Sequence, residues 1–171
     1  MKFFFIESDS RTVQPHFLDW SDEITSKRLA AWDFPKLGSF DIELIDDVEF
    51  PDIVSFPCLM ISKGFAQLVS LYDESIQFKY VILNDSKSQR HITYSIPRVK
   101  IVDCLSQESE LDFDGNALKR TVLLRDAVQG RTLFQIGGVK KQYVVASLEL
   151  VESAFRREIR GLRVIEVEMS K

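Results

Sequence analysis

Little in this chain of 171 residues offers the raw material of metal or thiol chemistry. It has two cysteines, Cys58 and Cys104, and two histidines, His16 and His91, scattered along the sequence. Structural zinc sites draw on close Cys and His pairs, so this scatter argues against one. A thiol nucleophile with its base could arise only by folding Cys58 or Cys104 against His91, and no local signature supports either pairing. Both cysteines lie in apolar runs, FPCLM and IVDCL, where a free thiol behaves as a small buried hydrophobe. A Gly-x-Ser-x-Gly elbow is absent, and Gly137-Gly138 lacks the further glycines and the following helix of a phosphate-binding loop. No metal or cofactor is expected, and no active site is visible.

Excess positive charge is lacking too. Lys and Arg number 22 against 26 Asp and Glu, a formal net charge of −4. Phosphate neutralisation needs clustered cations, so nucleic acid is not an expected partner. Long apolar runs are missing as well. The N-terminal MKFFFIESDS holds an apolar run too short for a signal-peptide core, and no later run approaches the roughly 20 residues of a membrane span. No membrane association is expected, and the expected location is cytoplasmic.

What the chain does have is a globular composition, 45% hydrophobic with 13 Phe, enough to build a core. No Pro-rich or Ser/Gly-rich linker interrupts it, so one domain is expected over residues 1–171, with an N-terminal strand and helix extension over 1–44 and a main region over 45–169. The clearest unit is residues 52–83. A continuous apolar run over 58–61 predicts a covered strand. Ser62 then caps a helix with Phe65, Leu68, Val69 and Tyr72 on one stripe, and Ile76, Phe78, Tyr80 and Ile82 switch to the period of a strand. Residues 142–169 repeat this plan: a strand at 143–146, Ser147 ahead of a helix with Leu148, Val151, Phe155 and Ile159 on one face, and a strand at 162–168.

Other elements follow from the same rules. A first strand is predicted at 2–6 and a helix capped by Ser21 running to about Trp32. Alternation places Phe40, Ile42 and Leu44 on one side of a strand and Asp41 and Glu43 on the other. Strands at 91–96 and 99–105 are separated by Pro97, which cannot donate to a ladder. A hairpin is predicted between strands at 121–124 and 132–136, turning at Gln129-Gly130. The expected class is α+β: a mixed β-sheet with two similar strand-helix-strand modules and a central β-hairpin region.

Charge placement stands out against this ordinary background. Asp41, Glu43, Asp46, Asp47, Glu49 and Asp52 fall in a stretch without Lys or Arg, and Asp103, Glu108, Glu110, Asp112 and Asp114 form a second. Such segments keep a surface solvated, or they meet a basic partner, speeding encounter and selecting it. Arg156, Arg157, Arg160 and Arg163 cluster at the end of the last helix, where cations suit the dipole.

Several pieces of the sequence carry a family resemblance in order. They are Asp52-Ile53 leading to Leu59-Met60-Ile61-Ser62 and its helix, Ile76-Gln77-Phe78, Val102-Asp103-Cys104-Leu105 followed by Ser109, Leu133-Phe134-Gln135-Ile136, and Val144-Val145-Ala146-Ser147 with a helix ending at Gly161-Leu162. Through them the region from Ile45 to Val167 resembles the eleventh immunity family of bacterial polymorphic-toxin systems, formerly a domain of unknown function. The resemblance implies a cytosolic protein that neutralises a cognate toxin, encoded by an adjacent gene, through stoichiometric binding rather than catalysis. The residues expected to meet that partner are Asp46, Asp47, Glu49, Asp52, Glu108, Glu110, Asp112 and Asp114. Two other readings stay open: a small hydrolase-type enzyme with a site assembled from dispersed acids and His91, and an oligomeric module, such as a homodimer, pairing through strand edges.

Overall fold

The computed structural model describes residues 1–18, 32–33, 37–43 and 49–170. In chain order its strands begin with β1 (Phe3–Ser8), β2 (His16–Phe17), β3 (Leu37–Glu43), β4 (Ile53–Val54) and β5 (Met60–Ile61). Helix α1 (Lys63–Tyr72) leads into β6 (Phe78–Asp85), β7 (Arg90–Pro97), β8 (Lys100–Val102), β9 (Glu110–Leu111), β10 (Leu118–Arg120) and β11 (Val122–Leu123). A single helical turn, α2 (Arg125–Val128), precedes β12 (Leu133–Ile136), β13 (Val144–Ser147), α3 (Leu148–Arg156) and β14 (Leu162–Met169). The protein is α+β with mixed sheets. Its chain forms two compact units, one made of Met1–Glu7, Val99–Glu158 and Arg163–Lys171, the other of Ser8–Arg98 and Ile159–Leu162. The helix expected from Ser21 lies outside the described residues up to its end at Trp32.

In the first unit the sheet order is β11-β14-β1-β13-β12-β8, with β9 and β10 paired separately. The N-terminal Phe run supplies the central β1, whose Phe3, Phe4 and Phe5 stand opposite Ser147, Ala146 and Val145 in antiparallel register. Alternation sends Phe3 into the core, where its ring meets that of Phe134 edge-on at 5.6 Å. Around this pair close Val102, Cys104, Leu123, Val128, Ile136, Val145 and Val167.

The hairpin expected between 121–124 and 132–136 does not form. β11 pairs in parallel with β14 at one edge, while β12 lies between β13 and β8. Between them Arg125–Val128 coils into α2, and Val128 drops into the core. Gly130, at φ +72, then redirects the chain. Two strands near in sequence are thereby led to opposite sides of one sheet.

In the second unit the order is β2-β3-β6-β7-β5-β4. β6 and β7 pair over their whole length, from Phe78↔Pro97 to Asp85↔Arg90, and β3 lies parallel on the far side of β6. Ile42, Val81, Leu83, Tyr94 and Ile96 fill one face together with Phe17, Val54, Cys58 and Met60. On β6 the buried apolar side chains are therefore Val81 and Leu83; the expected set with Tyr80 lies on the opposite face, with Tyr80 itself exposed. Both alternating sets are apolar, so periodicity could not choose between them. The buried Tyr94 hydroxyl donates to the Pro51 carbonyl at 2.5 Å.

Each module has its expected helix cap. The Ser62 hydroxyl accepts from the Phe65 amide at 3.3 Å, and that of Ser147 from the Leu150 amide at 3.4 Å. In neither module are the two strands neighbours: β7 separates β5 from β6, and β1 separates β13 from β14. Because β5 and β6 both run antiparallel to β7, they are parallel to each other. On α3 the buried stripe is Leu150, Val151 and Ala154, not the expected face through Phe155, which is 51% exposed. Spacings of three and four from Leu150 and Val151 reach Ala154, and the bulkier Phe155 is rotated off that line.

Candidate protein-binding site

Of the described residues of the first acidic segment, Glu43, Glu49 and Asp52 are met by cations of the chain. Asp41 is exposed on β3, and Glu43 pairs with Lys87. Asp46 and Asp47 lie outside the described residues. Glu49 and Asp52 are brought together at Arg160. The Asp52 carboxylate accepts the Arg160 amide at 2.7 Å, and the Asp52 amide donates to the Arg160 carbonyl at 3.0 Å. The guanidinium lies 3.6 Å from Asp52 and also pairs with Glu49. The Asp52 carbonyl further accepts the Ser62 amide at 2.8 Å, just where the helix cap begins. With its side chain 19% exposed, Asp52 is a staple of the fold; Glu49, at 82%, lies open at the same point.

The arginine cluster is likewise distributed among acids. Arg156 pairs with Glu152 at 3.2 Å and Arg163 with Glu7 at 3.0 Å, which leaves Arg157 as the one of the four without an ion pair to a described residue. Each exposed pair contributes little stability, but together they cancel most of the positive field that the sequence suggested.

The second acidic segment is built differently. Residues 106–120 include the β9–β10 hairpin, with Leu118 opposite Leu111 and Arg120 opposite Glu110. Its base is tied down at several points. The Ser109 hydroxyl donates to the Val122 carbonyl at 2.9 Å and accepts the Val122 amide at 3.0 Å. The Leu118 amide donates to the Tyr143 hydroxyl at 3.0 Å, the Lys141 amide to the Asn116 carbonyl at 3.1 Å, and Arg120 pairs with Glu168 at 2.7 Å. At the tip the Asp112 carboxylate accepts the Asn116 amide at 2.7 Å, while the Asp112 amide donates to the Ala117 carbonyl at 2.8 Å. Backbone amides, that of Ala117 foremost, hold the Asp112 carboxyl below the ordinary carboxylate range, aided by the nearby Lys119.

Asp112 therefore serves the turn. Glu108, Glu110 and Asp114 are exposed, and their carboxylates make no hydrogen bond or ion pair to a described residue. Between Asp112 and Asp114 stands Phe113, fully solvent-exposed, with Leu111 beside it on the strand at 43%. Phe113 escapes a reading of charge alone. Its signal in the sequence is an apolar side chain within the turn segment Asp112-Phe113-Asp114-Gly115-Asn116, where turn chemistry favours Gly, Asn, Asp, Ser and Pro.

The chain matches no protein-family model and no curated protein. Within the described residues, no cluster of three or more His, Cys, Asp or Glu is arranged to hold a metal ion. His91 is exposed on β7, in register with Asn84 and, one strand further, Asp41. Cys58 lies in the core formed with the alternate residues of that strand, so the thiol and the imidazole belong to opposite faces. Burial pushes the Cys58 thiol up to about 12 and that of Cys104 to about 11. A thiol so placed is a core residue and a poor nucleophile. No described helix is long and apolar enough to cross a membrane.

Proposed function

We propose that this chain is an immunity-type protein, which neutralises a cognate protein toxin by stoichiometric binding. One observation carries the reading: the second acidic segment is a pinned hairpin that holds in solvent three carboxylates with no hydrogen bond or ion pair to a described residue. Solvent-exposed charges outside the fold's own ion pairs can act on an approaching molecule, where they raise the encounter rate and discriminate among partners. From the first acidic segment, Asp46, Asp47 and Glu49 are further candidate contact residues by their sequence, whereas Asp52 is engaged by Arg160. The resemblance to immunity proteins gives the partner its class.

The test is coexpression. A toxin encoded beside this chain should be harmless when both are made together, and the two proteins should purify as a complex of fixed stoichiometry. A toxin that stays lethal beside well-folded, abundant chain would overturn the reading.

A further inference from the structure

We infer that Phe113 is the anchor of that binding surface: a preformed aromatic knob that enters an apolar pocket rimmed by Lys and Arg on the partner protein. The inference rests on the function proposed above and adds the residue and the partner chemistry. Leaving a Phe wholly in water forgoes the roughly 1.5–3 kcal/mol that burying it would contribute, yet Phe113 belongs to neither hydrophobic core and makes no ring contact within the described fold. The turn does not need it. Asp112 supplies the turn bonds, and Gly115, at φ +67, supplies the left-handed position.

The knob is also held ready. Anchorage of the hairpin through Ser109, Asn116, Leu118 and Arg120 removes most of the backbone freedom that a binding loop would otherwise lose on docking. An aromatic centre with a polar rim is the usual anatomy of an energetic hot spot.

Charge selects among occupants. The rim of Glu108, Glu110 and Asp114 repels the phosphates of nucleic acid and the anionic headgroups of a cytoplasmic leaflet. A second copy would bring the same negative hairpin. A cationic protein surface with an apolar recess satisfies both the ring and the rim.

The experiment titrates the toxin domain encoded beside this chain, purified as an inactive variant, against wild-type protein and the variants Phe113→Ser, Phe113→Trp and Tyr80→Ser by calorimetry. Phe113→Ser should weaken binding by about 30-fold or more, the mark of a hot spot, while Phe113→Trp keeps tight binding and Tyr80→Ser leaves it unchanged. Circular dichroism and the urea midpoint of Phe113→Ser should match wild type, because the ring packs on nothing. Glu110→Gln with Asp114→Asn should flatten the salt dependence of the association rate. Equal affinity of wild type and Phe113→Ser would overturn the anchor and leave the function proposal standing; loss of affinity in Tyr80→Ser alone would move the interface to the exposed face of the second unit's sheet. If wild type itself does not bind, both proposals fall.

Discussion

Gly161 gives the sharpest test of the tertiary structure, through a comparison with Gly130. Both have positive φ, +73 and +72, so alanine at either site meets the same backbone penalty. That penalty is about 1–2 kcal/mol for the left-handed region, offset by about 0.4–1 kcal/mol from the reduced freedom of the unfolded chain. Their surroundings differ. A Cβ at Gly130 meets nothing within 4 Å, whereas at Gly161 it would lie 2.8 Å from Pro51 Cβ and 3.4 Å from Thr12 Oγ1. Neither side can easily retreat. Pro51 has its ring and a carbonyl held by Tyr94, and the segment with Gly161 is bound by the Asp52–Arg160 bonds and by the Asp9 amide donating to the Gly161 carbonyl at 2.8 Å.

Overpacking of this kind costs about 1–3 kcal/mol. Gly130→Ala should therefore destabilise by about 1 kcal/mol and Gly161→Ala by about 2–4 kcal/mol. On a chain of this size the second value corresponds to a fall in Tm of about 5–15 °C. Urea and thermal unfolding of the two variants beside wild type would measure the difference. Equal shifts would refute the contact with Pro51, and with it the account of Asp52 as a staple for Arg160 and Gly161.

Two further predictions follow from the helix caps and the thiols. Ser62→Ala and Ser147→Ala should each lower stability by about 1 kcal/mol in urea unfolding, and Asp at either site should restore most of it, because a carboxylate can accept the same amide. Neither Cys58 nor Cys104 should react with a thiol reagent in native protein at pH 8, and both should react once urea unfolds the chain. The sign of the linked pH effect follows. Folding raises both thiol pKa values above the ordinary 9, so the unfolded state releases those protons first. Their contribution to stability is intact below pH 9 and falls as the pH rises from there toward 11 and 12. Replacing both cysteines by Ala should remove that part of the alkaline loss of stability.

Much of the local architecture is legible in the residue order. The caps at Ser62 and Ser147, the strand alternation around Ile42 and the bend at Pro97 each follow from the chemistry of one or two residues. The acidic segment at 108–114 is equally plain. Its character as a pinned hairpin is less so, because the ties run from Ser109 to Val122, from Leu118 to Tyr143 and from Arg120 to Glu168, partners up to 48 positions apart.

Sequence by itself therefore determined the α+β class, the capped helices and the surplus of carboxylates, all of which depend on short-range periodicity and composition. Tertiary structure alone decided which alternating face of β6 is buried, that β11 pairs with β14 instead of turning back on β12, and that Asp52 is held by Arg160 while Glu108, Glu110 and Asp114 form no ion pair with a described residue. Each of those outcomes depends on which distant strand or cation arrives alongside. No periodicity within a segment records its neighbour across the sheet, so a charge that staples the fold and a charge that stays exposed look alike until the chain is folded.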